Sequence, residues 1–178
     1  MRKTGFQKAT ERIEKEGKKQ CQILYGCAGL ALSRHWGKGQ KAILNLFDES
    51  LKAWNECAKT TEHSMVSMCE QETGIEIQNG DGVSWHDVAY MNNSIPVDEM
   101  SYEQWLYMRQ QQIKWIAPQI MACLMVAMHR KWGFGFERCS RIYSQIEDIK
   151  YELRCDPKRI RKTCRDETGI DVLSVVTA

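Results

Sequence analysis

Proline is scarce in this chain, three in 178 residues, so long stretches carry no residue that forbids a helix. Gly/Ser-rich runs are absent, and apolar–polar alternation over strand lengths is sparse. These absences argue against a sandwich or barrel and for an all-helical protein. Long apolar runs are missing too. The most apolar stretch, Ile116–Met128, is too short to span a bilayer and contains Pro118. Met1–Lys19 is polar and basic, so no secretory leader is expected, and the eight cysteines are expected as reduced thiols in a cytoplasm.

Several chemical signatures are also lacking. Cys57, His63 and Cys69 could converge on a metal, as could Cys139, Cys155 and Cys164. Yet the sequence has no C-x-x-C or H-x-x-x-H pair of the kind small zinc sites show. Core thiols are therefore expected, with no metal and no cofactor. No G-x-S-x-G nucleophile turn accompanies His86-Asp87, and the glycine-rich turns lack the lysine and hydroxyl of a phosphate-binding loop. An enzyme is not expected.

What the chain does have is an internal repeat. Arg34–Gly39 reads RHWGKG and Arg130–Gly135 reads RKWGFG, offset by 96. Glu72–Ile75 and Glu167–Ile170 both read ETGI, offset by 95. Cys27 and Cys123 share the first offset, Cys69 and Cys164 the second. Two landmarks in the same order predict a duplicated unit of roughly 55–60 residues, about the smallest size that folds alone.

Apolar spacing fills in the unit. Phe6–Lys19 reads as a polar lead helix. Cys21–Trp36 follows as a helix with one buried face, Gly37 and Gly39 break it, and Gln40–Ala58 continues with Ile43, Leu44, Phe47, Leu51 and Trp54 inward. Thr61 is the predicted N-cap of a short third helix that ends at Gly74. The second copy reads as a lead helix Ser101–Trp115, then Ile116–Trp132, Phe136–Arg154 and Lys158–Thr168, the last opened by Asp156-Pro157 and closed by Gly169. Asp156 matches Thr61 at the 95 offset. Most of the nine methionines are expected to fill core.

The predicted fold is all-α: two repeated three-helix units packed pseudo-symmetrically, with a long central loop. The predicted organisation is a first repeat with lead helix over 1–77, a loop over 78–100 and a second repeat with lead helix over 101–178. Gln78–Pro96 has turn chemistry and no helical period. Trp85, His86 and Tyr90 make it a candidate partner loop.

Charge is uneven. Residues 1–43 carry ten Lys/Arg against three Asp/Glu, residues 44–116 four against twelve, and residues 117–178 eleven against eight. Such a chain can bind polyanions at one surface, or its opposite regions can meet in the fold. The sharpest cluster is the last predicted helix, where Lys158, Arg161, Lys162 and Arg165 fall at i, i+3, i+4 and i+7 beside Arg154. Its counterpart, Glu62–Glu72, is acidic and Met-rich. Divergence at one helix suggests a polyanion- or partner-binding face. A short helix delivered by a turn also suits a DNA-binding regulator. An adaptor binding a small anionic ligand between the repeats is a third reading.

The unit of short apolar helix, R-x-W-G-x-G, amphipathic helix, cap, short helix and E-T-G-I resembles a group of small helical proteins from phages and mobile elements of Firmicutes. The matching residues are Met128–Phe136 (MHRKWGFGF) and Asp166–Ile170 (DETGI), echoed at Leu32–Gly39 and Gln71–Ile75. Some proteins of such elements are anti-CRISPR inhibitors of type II effector nucleases. The resemblance implies a non-enzymatic inhibitor in the host cytoplasm, with a host defence nuclease or its nucleic acid as partner. It leaves out the central loop and carries no functional residues onto this chain.

Overall fold

The structure is a computed structural model, described for residues 5–59, 64–77 and 101–176. The described residues are all-α. The elements are α1 (Gly5–Trp36), α2 (Gln40–Lys59), α3 (Met65–Thr73), α4 (Tyr102–Trp132), α5 (Phe136–Glu152), α6 (Pro157–Thr168) and α7 (Val172–Val176). The expected loop cap Thr61 and the candidate loop residues Trp85, His86 and Tyr90 lie outside the described residues.

Two expected boundaries do not exist. The lead helix and the first repeat helix are one helix, α1, which runs through Gly17 and Gln20. A single helical glycine costs only about 1 kcal/mol, too little to end a helix that is packed further along. The second copy behaves alike: α4 runs 31 residues through Pro118, which is buried. A capping box at Ser101 and Gln104 starts α4.

The third helices start differently. Asp156 caps α6, its carboxylate accepting from Lys158 N–H at 2.9 Å. The described start of α3 is Met65, where the Ser64 hydroxyl accepts from Ser67 N–H at 3.1 Å. Ser64 matches Arg159 at the 95 offset, so these two caps do not occupy equivalent positions. At the other end the copies agree. Gly74 and Gly169 both sit at φ 74°. Before each lies the same hydroxyl clasp. Thr73 Oγ1 donates to Cys69 O at 2.7 Å and accepts from Ile75 N–H at 3.2 Å. Thr168 Oγ1 donates to Cys164 O at 2.6 Å and accepts from Ile170 N–H at 3.2 Å. Thr73→Val leaves an amide without its acceptor in a buried site, so it should cost about 1–3 kcal/mol. Thr168→Val should cost about as much or less, since that clasp is only partly buried. Urea unfolding of the two variants checks both.

The helices are interleaved across the repeats. α1 packs along α4, α5 and α6, but barely on α2 of its own repeat. α4 packs along α1, α2 and α3, and little on α5. The core is correspondingly continuous. Leu24, Ala28, Leu30 and Leu32 of α1 and Leu124, Met125, Val126 and Met128 of α4 are fully buried with Phe47, Ile142, Ile146 and Ile160. Of the recurring cysteines, Cys27, Cys69 and Cys164 are sealed and Cys123 is 3% exposed, each on a helix face turned into this core. Surface contacts cross the same way. Arg34 of the first repeat donates twice to Glu167, at 2.8 and 2.7 Å, and once to Glu152 at 3.1 Å. Arg130 of the second donates twice to Glu72, at 3.0 and 2.7 Å, and once to Glu56 at 2.7 Å. The expectation of a unit that holds itself together is thus corrected. Each first helix finds its main partners in the other copy.

Candidate partner-binding surface

α6 is built to show one face. Its inner side carries Ile160 and Cys164, both fully buried. They rest on α1 at Gly26 and Gly29, and at Gly26 the missing side chain is what lets the helices approach. A Cβ at Gly26 would run into Ile160 Cγ2, and one at Gly29 would stand 3.4 Å from Cys164 Sγ. Close packing on one side fixes the direction of the other. Lys158, Lys162 and Arg165 point outward and are exposed, as are Arg159 and Arg154.

Arg154 arrives by an unexpected route. α5 was expected to continue to Arg154 but ends at Glu152, and Arg154 and Cys155 take left-handed backbone at φ 57° and 51°. Two such residues in a row without glycine are uncommon and strained. Cys155 N–H bonds back to Lys150 O at 2.8 Å, which closes the turn.

The stripe is not uniformly open. Arg161 donates to both Asp171 oxygens, at 2.7 and 2.6 Å, and Arg165 Nη2 stands 3.6 Å from the same carboxylate. Arg161 is therefore withdrawn from the candidate binding set and assigned to the fold. Its counter-ion is the chain's own C-terminal segment, not the acidic middle. Lys162 pairs with Asp166 at 2.8 Å, but both side chains are more than half exposed, so a partner can displace that contact at little cost. No ion pair engages Arg154, Lys158 or Arg159 among the described residues. Sequence reading missed Asp171 because it lies beyond the helix. The signal was there: Gly169 reverses the chain, and a residue two positions on comes back beside α6.

Asp171 is held at about 2, below its ordinary 3.8, chiefly by the hydrogen bonds from Arg161. Arg34 lowers Glu167 in the same way. A carboxyl depressed in the folded state adds stability above its unfolded pKa and loses it as the pH falls through the folded value. Stability should decline between about pH 4 and pH 2, and Asp171→Asn should remove part of that decline while lowering stability at pH 7. Thermal melts at pH 7, 4 and 3 check the sign.

A second basic element meets the start of α6. A broad depression is lined by Arg12, Lys15, Lys18, Lys19 and Gln22 of α1 together with Pro157. Glu11, Glu14 and Glu16 share it, and Lys19 reaches Glu16 at 3.5 Å. The depression holds four of the ten cations of the first 43 residues and all three of their acids, so it carries little of that segment's positive excess.

Six thiols that are buried or half-buried are poor nucleophiles. Burial pushes Cys21 and Cys139 up to about 11 and Cys27 and Cys69 up to about 12, and raises Cys123 and Cys164 as well. They stay protonated at neutral pH. No group of three or more Cys, His, Asp or Glu among the described residues is placed to hold a metal. His129 Nδ1 lies 2.9 Å from Phe134 O, a contact that ties the end of α4 to the turn after it.

One apolar feature was not foreseen. Leu51 and Trp54 were expected inward, yet they are 38% and 41% exposed. They edge a pocket of about 330 Å³ whose floor includes Cys21, Tyr25, Ile116, Ile120 and Cys123, with Val175 of α7 at one side. No described helix is long and apolar enough to cross a membrane. No family model, no curated protein and no solved structure matches the chain.

Proposed function

We propose that this chain is a non-enzymatic inhibitory binding protein of the anti-CRISPR kind. It would act in the host cytoplasm and block a defence nuclease by presenting a cationic helix to an anionic surface of that enzyme or of its nucleic acid. The observation that carries the reading is α6. Its inner face is locked into the core at Gly26, and Lys158, Lys162 and Arg165 face outward with Arg154 and Arg159 beside them. A rigid platform lowers the ordering cost of binding, and exposed cations speed the encounter with a polyanion. The choice of a nuclease as target comes from the resemblance of the repeat unit. The proposal includes an arrangement of the two repeats about an internal two-fold, supported by contacts that recur with partners exchanged.

A specific observation favours a second reading. α5 and α6 are joined by only four residues, Leu153–Asp156, as in helix–turn–helix elements whose second helix reads DNA. Two titrations separate the readings. An inhibitor should stop plasmid cleavage by a guide-loaded type II effector nuclease. A regulator should leave cleavage unchanged and bind duplex DNA alone, with sequence preference that survives moderate salt. Loss of neither cleavage nor free duplex would remove both.

A further inference from the structure

The apolar pocket edged by Leu51 and Trp54 is walled by α1, α2, α4 and α7, and none of its described lining residues is charged. Cys21 and Tyr25 stay neutral there, since burial pushes the thiol up to about 11 and raises the phenol as well. The Tyr25 hydroxyl is already engaged. It lies 2.7 Å from Ser50 Oγ, and the ring stands edge-on to Phe47 at 4.8 Å. Gln119 is different. Its half-buried side chain lines the pocket and makes no hydrogen bond among the described residues.

The fold does not require this pocket to be apolar at its mouth. Ile43, Leu46, Ser50 and Ala53, buried on α2, recur 96 positions on as Cys139, Ile142, Ile146 and Ile149, buried on α5. In that register Leu51 and Trp54 correspond to Glu147 and Lys150, which pair with each other at 2.8 Å. A solvated ion pair thus serves α5 at the two places where α2 shows large apolar side chains to water. Exposed apolar residues beside a cavity mark a binding site more often than a packing need. Gly17 opens the pocket from α1. It is helical with no positive φ, and a Cβ there would come no nearer than 4.0 Å to Ile116 Cδ1. Alanine would fit and would favour the helix, so glycine leaves space that the backbone does not need.

We propose that this pocket binds a small neutral molecule of two fused aromatic rings with one hydrogen-bonding group, its rings stacked on Trp54 and its polar group meeting the Gln119 amide. Size sets the ring count. An apolar cavity of about 150 Å³ holds benzene, and this pocket measures about 330 Å³. The uncharged lining sets neutrality, because a charged ligand would lose hydration with nothing to pair with. Trp54 favours a flat ring, since offset stacking adds to the area buried. A mostly apolar pocket of this volume with few polar groups is the usual form of a small-ligand site. No residue of α6 is among the lining residues, so the site does not depend on what the outer face of α6 binds.

The test is isothermal titration calorimetry of the full chain at pH 7 with 2-naphthol, which is neutral, and 2-naphthoate, which is charged. 2-Naphthol should bind saturably, and 2-naphthoate at least about tenfold more weakly. Gly17→Leu fills the space and should weaken 2-naphthol by about tenfold or more with no loss of melting temperature. Trp54→Ala should weaken it by about three- to tenfold. Gln119→Leu should weaken 2-naphthol by about fivefold and leave naphthalene unaffected. Tyr151→Ala, an exposed aromatic outside the pocket, should change nothing. If Gly17→Leu proves unstable, Trp54→Ala, on an exposed side chain, must still weaken binding. No binding of 2-naphthol by the wild type, equal binding of 2-naphthoate, or unchanged binding by the pocket variants would overturn the assignment. So would tighter binding of N-acetyl-tryptophanamide, which would make the pocket a seat for a side chain of another protein.

Discussion

Gly26→Leu is expected to destabilise the fold by about 3 kcal/mol or more. The position lies where α1 and α6 touch, and even a methyl group there meets Ile160 Cγ2. Ile160 is fully buried and β-branched, so it has little freedom to turn away. Overpacking of this kind costs about 1–3 kcal/mol for small additions, and a larger side chain must move the helix. Gly26→Ala should lose less, because alanine returns about 1 kcal/mol of helix propensity. Gly29→Ala provides the contrast. Its added Cβ would sit at ordinary contact distance from Cys164 Sγ, so the propensity gain should leave stability unchanged or slightly raised. In thermal melts Gly26→Leu should fall by roughly 6–12 °C. Equal behaviour of Gly26→Ala and Gly29→Ala would show that α6 is not held against α1 at this point.

That contact also shows where sequence reading stops. Apolar spacing located the helices and their buried faces, because a face is a local property. Cys27, Cys69, Cys123 and Cys164 are expected as core thiols from their recurrence and from the absence of close cysteine pairs, and all four are buried. Periodicity does not say which helix a face meets. Nothing in the repeat reveals that Gly26 of the first copy packs on Ile160 of the second, or that Arg34 pairs with Glu167 instead of Glu72. The boundaries expected at Lys19–Cys21 and at Trp115–Ile116 are absent for a related reason: long-range packing carries each helix on, in the second copy past Pro118.

The candidate site was legible to a different degree. The i, i+3, i+4, i+7 spacing gave the outer face of α6 correctly for Lys158, Lys162 and Arg165. Arg161 was misjudged, since its carboxylate partner comes from a reversal at Gly169. Leu51 and Trp54 were misjudged too, because a helical stripe can be wider than the surface that covers it. The turns were read as structural, and Gly37 and Gly133, at φ of 60° and 63°, fit that reading. What spacing could not show is that both turns end up side by side, with the Trp36 ring 4.8 Å from Phe134.

The second large effect concerns binding. Lys158/Lys162/Arg165→Ala should lower affinity for a guide-loaded type II effector nuclease by about a hundredfold at low salt, as the loss of three contacts each worth roughly 1 kcal/mol. Each cation that neutralises a phosphate contributes about one to the slope of log affinity against log salt, so the variant's slope should be shallower by about three. Folding should change little, since these side chains are exposed, Lys162 loses only a solvent-screened pair with Asp166, and Arg165 loses only a 3.6 Å contact to Asp171, which Arg161 still holds. Arg161→Ala should do the reverse. It breaks the paired contact to Asp171 and should lower stability while leaving the salt slope nearly intact.

The outer face of α6 is tested most directly by plasmid cleavage with that nuclease, titrated with the wild-type chain and with Lys158/Lys162/Arg165→Ala after both have been shown to melt at the same temperature. The prediction is that the wild type stops cleavage at near-stoichiometric concentration and that the variant needs about a hundredfold more. Equal inhibition by the two proteins, or no inhibition by the wild type, would contradict it.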